Sequence, residues 1–167
     1  MNIKSDSRKI EKGDTFIALK YVNNGHDYIE DAIKNGANKI IAEYGLYCVD
    51  TLIVDDTHKY LINYLKEEYW DKISDLKLIG VTGTNGKTTT CYLIHQVLNK
   101  LGEKCAYIGT IGFYIEEKIK DLNNTTPDIL EIYEMLLYAK EKGCKYVVME
   151  VSSHALAPAL HRFPNTS

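Results

Sequence analysis

The chain has 167 residues, 45% of them hydrophobic, which is enough to bury the cores of about one to two compact domains. Twenty basic and 23 acidic residues give a net charge of −3 without a long run of like charge, which argues against a nucleic-acid-binding protein. The polar amino terminus lacks the apolar stretch of a signal peptide, and no segment approaches the roughly 18 apolar residues of a membrane span. We therefore expect a cytoplasmic protein without a membrane span, whose anionic ligands are held by a local site.

The four cysteines are widely spaced and form no C-x-x-C pair. No histidine lies near them at the spacing of zinc ligands. We predict that they are buried free thiols in a reducing compartment, at positions Cys48, Cys91, Cys105 and Cys144.

The amino-terminal part alternates short apolar runs with segments of helical spacing. The predicted strands are TFIAL (15–19), KIIAE (39–43) and DTLIVDD (50–56), and the predicted helices are YIEDAIKNG (28–36) and HKYLINYLKEEYW (58–70). This order predicts a small α/β unit. His26, in the sequence GHD, is interpreted as a residue that serves loop structure.

A polar stretch over 71–75 separates this unit from a second one, so we place a domain boundary between residues 76 and 77. The second unit, 77–167, repeats the pattern of strands and helices. Its predicted elements are a strand from Lys77, a helix ending at Gly102, a strand over 104–110, a hairpin over 112–121, a helix over 127–143 and a strand over 145–150. Strands separated by helices predict parallel pairing, as in half of a doubly wound nucleotide-binding domain.

The stretch GVTGTNGKTTT (80–90) lies between the first strand and the first helix of this second unit. It misses the strict phosphate-loop pattern G-x-x-x-x-G-K-[ST] by one residue, because Val81 occupies the position of the first glycine. The physical requirements are nevertheless met. Gly83 and Gly86 can adopt positive φ and turn backbone N–H groups towards a phosphate, and the following helix adds the positive end of its dipole.

Two side chains of this stretch complete the predicted nucleotide site. The ammonium group of Lys87 can reach the outer phosphates of a nucleotide, and the hydroxyl of Thr88 can bind Mg²⁺. A turn that only reverses the chain would explain the glycines but not the Gly-Lys-Thr order. The predicted ATP-binding residues are Gly83, Thr84, Asn85, Gly86, Lys87, Thr88 and Thr89.

An apolar strand, KYVVM, leads directly into Glu150. An acidic residue at the end of the strand beside a phosphate loop commonly completes the Mg²⁺ shell. We predict that Glu150 and Thr88 hold the metal and that Lys87 and Glu150 are catalytic. A carboxylate exposed to water, or one that caps the next helix, is the alternative for Glu150.

Three motifs together resemble one known family. GVTGTNGKTTT, NTTPD (124–128) and MEVSSHAL (149–156), in this order and spacing, are similar to the central domain of the Mur ligases of peptidoglycan synthesis, and within them to the enzymes that add the third amino acid of the stem peptide. SDSRKIEKGDTFIAL and NNGHDYI, between Ser5 and Ile29, are similar to the uridine-binding first domain of those enzymes. The resemblance implies a uridine-binding α/β domain followed by part of a P-loop-type, parallel-sheet ATP-binding domain.

The same resemblance implies roles for further residues. It implies that Ser7 binds the uridine end of the substrate. It also implies that the muramoyl dipeptide is bound by Asn124, Thr125, Thr126 and Ser152, with Arg162 as a further candidate. NTT also reads as a turn, with Thr126 as the N-cap and Pro127 as the first residue of a helix. The implied chemistry transfers the γ-phosphate of ATP to the terminal carboxylate of the D-glutamyl group, and an amine then attacks the acyl phosphate.

The resemblance extends to about Leu156. The rest of the family's central domain and its carboxy-terminal domain have no counterpart in the chain, so we expect an amino-terminal fragment that binds better than it catalyses. The added amino acid, lysine or meso-diaminopimelate, stays open. A nucleotide and UDP-sugar-binding module without ligase activity is the alternative function, and a phosphate-loop kinase or NTPase would leave the other motifs unexplained.

Overall fold

The structure is a computed structural model that describes residues 2–20, 23–122 and 127–151. Contacts divide the chain into two units, Met1–Glu68 and Tyr69–Ser167. The division falls within a helix, Thr57–Ile73, that begins in the first unit and ends in the second. The boundary between residues 76 and 77 stays a prediction.

The first unit is a small parallel α/β unit. Its strands are β1 (Ile3–Lys4), β2 (Thr15–Ile17), β3 (Lys39–Ala42) and β4 (Asp50–Ile53), and its helices are α1 (Ile29–Lys34) and α2 (Thr57–Ile73). The described strands pair in chain order, β1-β2-β3-β4, with every pair parallel. The prediction of a small α/β unit is confirmed.

The core of the first unit lies between β2, β3 and α1. Phe16, Ile29, Ala32 and Ile40 are fully buried there, because one face of the helix is apolar and every second residue of the apolar strands points towards it. Gly36 has a φ of 110°, which a residue with a side chain rarely adopts, and α1 ends just before it, as predicted.

Three predictions for this unit need correction. The strand predicted over 15–19 ends at Ile17. The fourth strand ends at Ile53 rather than at residue 56, and the polar residues after it lead into α2. Cys48 is exposed and not buried, because it lies in the connection between β3 and β4 rather than in an element of the core. The other three cysteines are buried, as predicted.

The second unit contains a mixed sheet with helices between its parallel strands. Its elements are β5 (Lys77–Val81), α3 (Lys87–Lys100), β6 (Cys105–Gly109), β7 (Gly112–Tyr114), β8 (Lys118–Lys120), α4 (Ile129–Glu141) and β9 (Tyr146–Glu150). The described strands are ordered β5-β9-β6-β7-β8. β9 pairs in parallel with both β5 and β6, whereas β7 and β8 form the predicted antiparallel hairpin.

The amino-terminal end of α4 differs from the prediction. The helix begins at Ile129 and not at Pro127, and Asp128 is its N-cap. The carboxylate of Asp128 accepts the backbone N–H of Glu131 at 2.9 Å, which satisfies a donor that the first turn would otherwise leave free. A cap at Asp128 leaves Pro127 outside the helix.

The face of the sheet that packs on α3 carries an apolar cluster. Cys91, Cys105, Tyr107 and Val148 are fully buried in it. This packing fixes the start of α3, and therefore the glycine loop, against the carboxyl ends of β5 and β9. Within the part of the chain that the structure describes, no helix is long and apolar enough to cross a membrane.

Candidate nucleotide-binding site

The glycine loop joins the end of β5 to the start of α3 and is exposed. Gly86, with a φ of 79°, is the N-cap of α3, and Gly83 has a φ of 145°. The left-handed conformation at Gly86 lets the chain turn straight into the helix. The loop thus presents backbone N–H groups and the positive end of α3 to solvent, which is the arrangement that binds phosphate.

Lys87 is the first residue of α3, and its side chain folds back over the loop. Its Nζ donates a hydrogen bond to the backbone oxygen of Gly83 at 2.7 Å. The ammonium group therefore lies against the backbone of the glycine loop, close to where an anion would be held. This position agrees with the role predicted for Lys87, which stays a prediction.

Glu150 ends β9, the strand next to β5, and is buried, with 1% of the residue exposed. Its Oε2 accepts from the hydroxyl of Thr88 at 2.9 Å and from that of Thr110 at 3.1 Å. Its Oε1 accepts from the backbone N–H of Thr110 at 2.9 Å and from the hydroxyl of Tyr107. The alternative of a carboxylate exposed to water is thereby excluded, and Thr88 and Glu150 lie together as the sequence predicts.

Sequence reasoning missed Tyr107 and Thr110 as partners of Glu150. Tyr107 is fully buried, and burial together with its hydrogen bond to Glu150 raises the pKa of its hydroxyl. Gly109, between them, has no side chain, and a Cβ there would overlap both the Glu150 carboxylate and the Tyr107 hydroxyl. The polar Thr110 directly after the apolar run of β6 is the signal that could have pointed to this end of the strand.

The oxygens of Thr88 and Glu150 suit Mg²⁺, which prefers oxygen ligands. Neighbouring ligands in an octahedral Mg²⁺ shell, with bonds of about 2.0–2.1 Å, lie about 2.9 Å apart. The separation of 2.9 Å between Thr88 Oγ1 and Glu150 Oε2 matches that spacing. The two side chains therefore fit the predicted metal.

The first unit has its own polar cluster near the carboxyl ends of β2 and β3. Lys20 forms an ion pair with Glu43, whose carboxylate also accepts the backbone N–H of Thr57 at 3.2 Å. The hydrogen bond from Lys20 holds the pKa of Glu43 below its usual value. Sequence reasoning missed this pair, because its members are separated by 23 residues.

His26 connects two segments at this cluster. Its Nε2 accepts the backbone N–H of Glu43 at 3.0 Å, its Nδ1 lies 2.9 Å from Oδ1 of Asn24, and its ring stacks on Tyr44 with 4.2 Å between centroids. These contacts fix the tautomer with the proton on Nδ1. Burial lowers the pKa of His26. The interpretation that His26 serves loop structure is confirmed.

Of the predicted substrate residues, the structure describes Ser7. Ser7 is buried in a short 3₁₀ turn after β1, and its backbone oxygen accepts from Nδ2 of Asn35 at 2.9 Å. Its contact with uridine stays a prediction. The other predicted substrate residues lie outside the described residues: Asn124, Thr125, Thr126, Ser152 and Arg162.

A strand, a glycine loop, a helix and an acidic residue on the neighbouring parallel strand together define the P-loop class of α/β domains. Comparison with known proteins narrows this class. The family model for the Mur ligase middle domain matches residues 81–164. The UDP-N-acetylmuramoyl-L-alanyl-D-glutamate–2,6-diaminopimelate ligase of Clostridium perfringens is 42% identical over 159 residues, which cover 93% of this chain and 33% of that enzyme.

Solved structures agree with this match. The structure of a UDP-N-acetylmuramoyl-L-alanyl-D-glutamate–2,6-diaminopimelate ligase is 32% identical with a TM-score of 0.72, over 92% of this chain and 32% of that one. MurF ligase from Thermotoga maritima, solved in complex with ADP, is 26% identical with a TM-score of 0.58, over 90% of this chain and 32% of that one. The chain belongs to the Mur ligase family. It spans about a third of the length of these relatives.

Proposed function

We propose that the second unit binds ATP with Mg²⁺ at the glycine loop. The observation that carries the proposal is the group formed by Lys87, Thr88 and Glu150 at one end of the sheet, beside the exposed N-terminus of α3. Gly83 to Thr89 would surround the phosphates, and the ammonium of Lys87 would balance their charge. Thr88 and Glu150 would hold Mg²⁺, which when bound neutralises charge on the transferred phosphoryl group. The ADP bound in the related MurF ligase supports this assignment.

The function that we propose for the whole protein is ATP-dependent ligation of the third amino acid to UDP-N-acetylmuramoyl-L-Ala-D-Glu, through an acyl phosphate, in peptidoglycan synthesis. The names of the relatives support this reaction and favour 2,6-diaminopimelate as the amino acid. In this proposal Lys87 and Glu150 act on the transferred phosphate, and the chain by itself binds its substrates without completing the reaction.

We assign residues 1–76 to the UDP end of the substrate and residues 77–167 to ATP. Ser7 would contact uridine, and the muramoyl dipeptide would meet the second unit at Asn124 to Thr126, Ser152 and Arg162. The relatives are similar over more than 90% of the chain, including the first unit, which supports this assignment of the two units.

Calorimetry of ADP binding in the presence of Mg²⁺ tests the nucleotide site. Lys87→Ala removes the cation over the loop, and we expect ADP affinity to fall about 10- to 100-fold, the value of a hydrogen bond to a charged group. Lys100→Ala is the matched control, because Lys100 is an exposed lysine at the other end of the same helix. Equal affinities of the two variants for ADP would refute the assignment.

A further inference from the structure

The two oxygens of the Glu150 carboxylate are held by different kinds of donor. Oε1 accepts from the hydroxyl of Tyr107, the middle residue of β6, and from the backbone N–H of Thr110, which directly follows that strand. Oε2 accepts from the hydroxyls of Thr88 and Thr110. A threonine hydroxyl can redirect its proton by rotation, whereas a backbone N–H cannot.

The hydroxyl oxygen of Tyr107 is held in place by the packing of its ring. Its ring is fully buried, and the rings of Tyr92 and Tyr114 pack edge-on against it with centroids 5.7 and 5.9 Å away. Tyr107 pairs with Val148 in the register of β6 and β9, so Tyr107 and Glu150 lie diagonally across the same face of the sheet. Gly109 leaves open the space in which the two side chains meet.

We propose that Tyr107 is a positioning residue for the metal site: its hydroxyl holds Oε1 of Glu150 in the sheet, so that Oε2 faces Thr88 and the metal. This inference rests on the proposed ATP·Mg²⁺ site. Without the hydroxyl, Oε1 loses one of its donors, and the carboxylate is held less firmly on the side away from Thr88. Oε2 would then be less well fixed beside Thr88, and the two side chains would hold Mg²⁺ less tightly.

The test separates the metal from the nucleotide. Affinity for ADP is measured by calorimetry with Mg²⁺ and again with EDTA, and the ratio of the two constants is the metal enhancement. For Tyr107→Phe we expect the enhancement to fall about tenfold or more, while ADP affinity in EDTA stays unchanged, because the loop and Lys87 are intact. Tyr92→Phe is the matched control, since it removes a hydroxyl from the same ring cluster but not from Glu150.

The outcomes are distinct. If wild type and Tyr92→Phe show the enhancement and Tyr107→Phe keeps it in full, Tyr107 only packs in the core and the inference is refuted. If the wild-type chain shows no enhancement by Mg²⁺, the proposed metal site itself fails, and the inference fails with it. A structural role alone would lower the stability of Tyr107→Phe without moving the ratio.

A second measurement uses the wild-type chain, so its result does not depend on whether a variant folds. Tyrosine labelled with ¹³C at Cζ reports the hydrogen bond of each hydroxyl in the NMR spectrum. We expect the resonance of Tyr107 to shift when Mg²⁺ is added to the ADP complex, and that of Tyr133, which is buried in α4, to stay in place. A Tyr107 resonance that does not respond to Mg²⁺ would overturn the inference.

Discussion

Asn99 ties the last turn of α3 to the first residue of β6. Its Oδ1 accepts the backbone N–H of Cys105 at 3.0 Å, and its Nδ2 donates to the backbone oxygens of Cys105 at 3.0 Å and His95 at 2.9 Å. Cys105 is fully buried. Asn99→Ala therefore removes the partner of the buried N–H of Cys105 and one hydrogen bond to the C=O of the same residue, which also interacts with the ring of His95.

The magnitude follows from these two groups. A buried donor left unsatisfied costs about 1–3 kcal/mol, and a hydrogen bond lost from a carbonyl that keeps another partner costs about 1 kcal/mol, so the two changes together would cost about 2–4 kcal/mol. Alanine returns at most about 0.7 kcal/mol through its higher helix propensity. A cleft of about 510 Å³ lies beside this contact and is lined by Asn99, His95 and Lys104 among others. Water in the cleft can replace part of the hydrogen bonding that Asn99→Ala removes. We therefore expect the lower half of the range, about 2–3 kcal/mol.

Urea unfolding followed by the fluorescence of Trp70, the single tryptophan, measures this change in the second unit. Gln96→Ala is the control, because Gln96 is exposed on the same helix, and such surface changes stay within about 0.5 kcal/mol. If Asn99→Ala destabilises the unit no more than Gln96→Ala does, the interpretation of Asn99 as the partner of the Cys105 backbone is wrong.

Three further predictions concern other parts of the chain. Because burial lowers the pKa of His26, the contribution of His26 to the free energy of unfolding should be intact above about pH 6.5 and decline below it by at most about 1.4 kcal/mol per pH unit. Thermal unfolding from about pH 7.5 to 5.5 should therefore show a flatter dependence of stability on pH in His26→Gln than in the wild type. Gly86→Ala meets no atom within 4 Å but must keep a φ of 79°, so urea unfolding should show a loss of about 1–2 kcal/mol, and an unchanged midpoint would contradict that conformation. In the native chain a thiol reagent should modify Cys48 rapidly and the other three cysteines only after denaturation. Those three are buried, and burial raises the pKa of Cys91 and Cys105 to about 12. Rapid reaction of a second thiol would refute the burial of these cysteines.

Much of the fold follows from local patterns. The apolar run before the glycine loop, the helical spacing after it and the apolar strand into Glu150 are each read from a few neighbouring residues. The meeting of Thr88 with Glu150 is predictable as well, because a helix start and a strand end at the same edge of a parallel sheet lie close together.

Features that depend on register could not be read from the sequence. Tyr107 would count as one more apolar residue of a buried strand, and only the pairing of β6 with β9 brings its hydroxyl to Glu150. Asn99 near the end of a helix has many possible partners, and the structure selects Cys105. The start of α4 differs from the prediction because Pro127 and Asp128 both suit the first positions of a helix, and the hydrogen bond from the Glu131 N–H to the Asp128 carboxylate decides between them.

The position of β9 between β5 and β6 determines the order in which the protein can fold during synthesis. Each strand of the first unit pairs with the strand made just before it, so its sheet can assemble while the chain is still growing. Among the described strands of the second unit, β5 and β6 do not pair with each other, and each pairs in parallel with β9. A nascent chain that has passed Lys87 and Thr88 but not yet Glu150 holds most of the loop but lacks the strand that supports it. The sheet and the contact between Thr88 and Glu150 are therefore completed by the same five residues, Tyr146–Glu150.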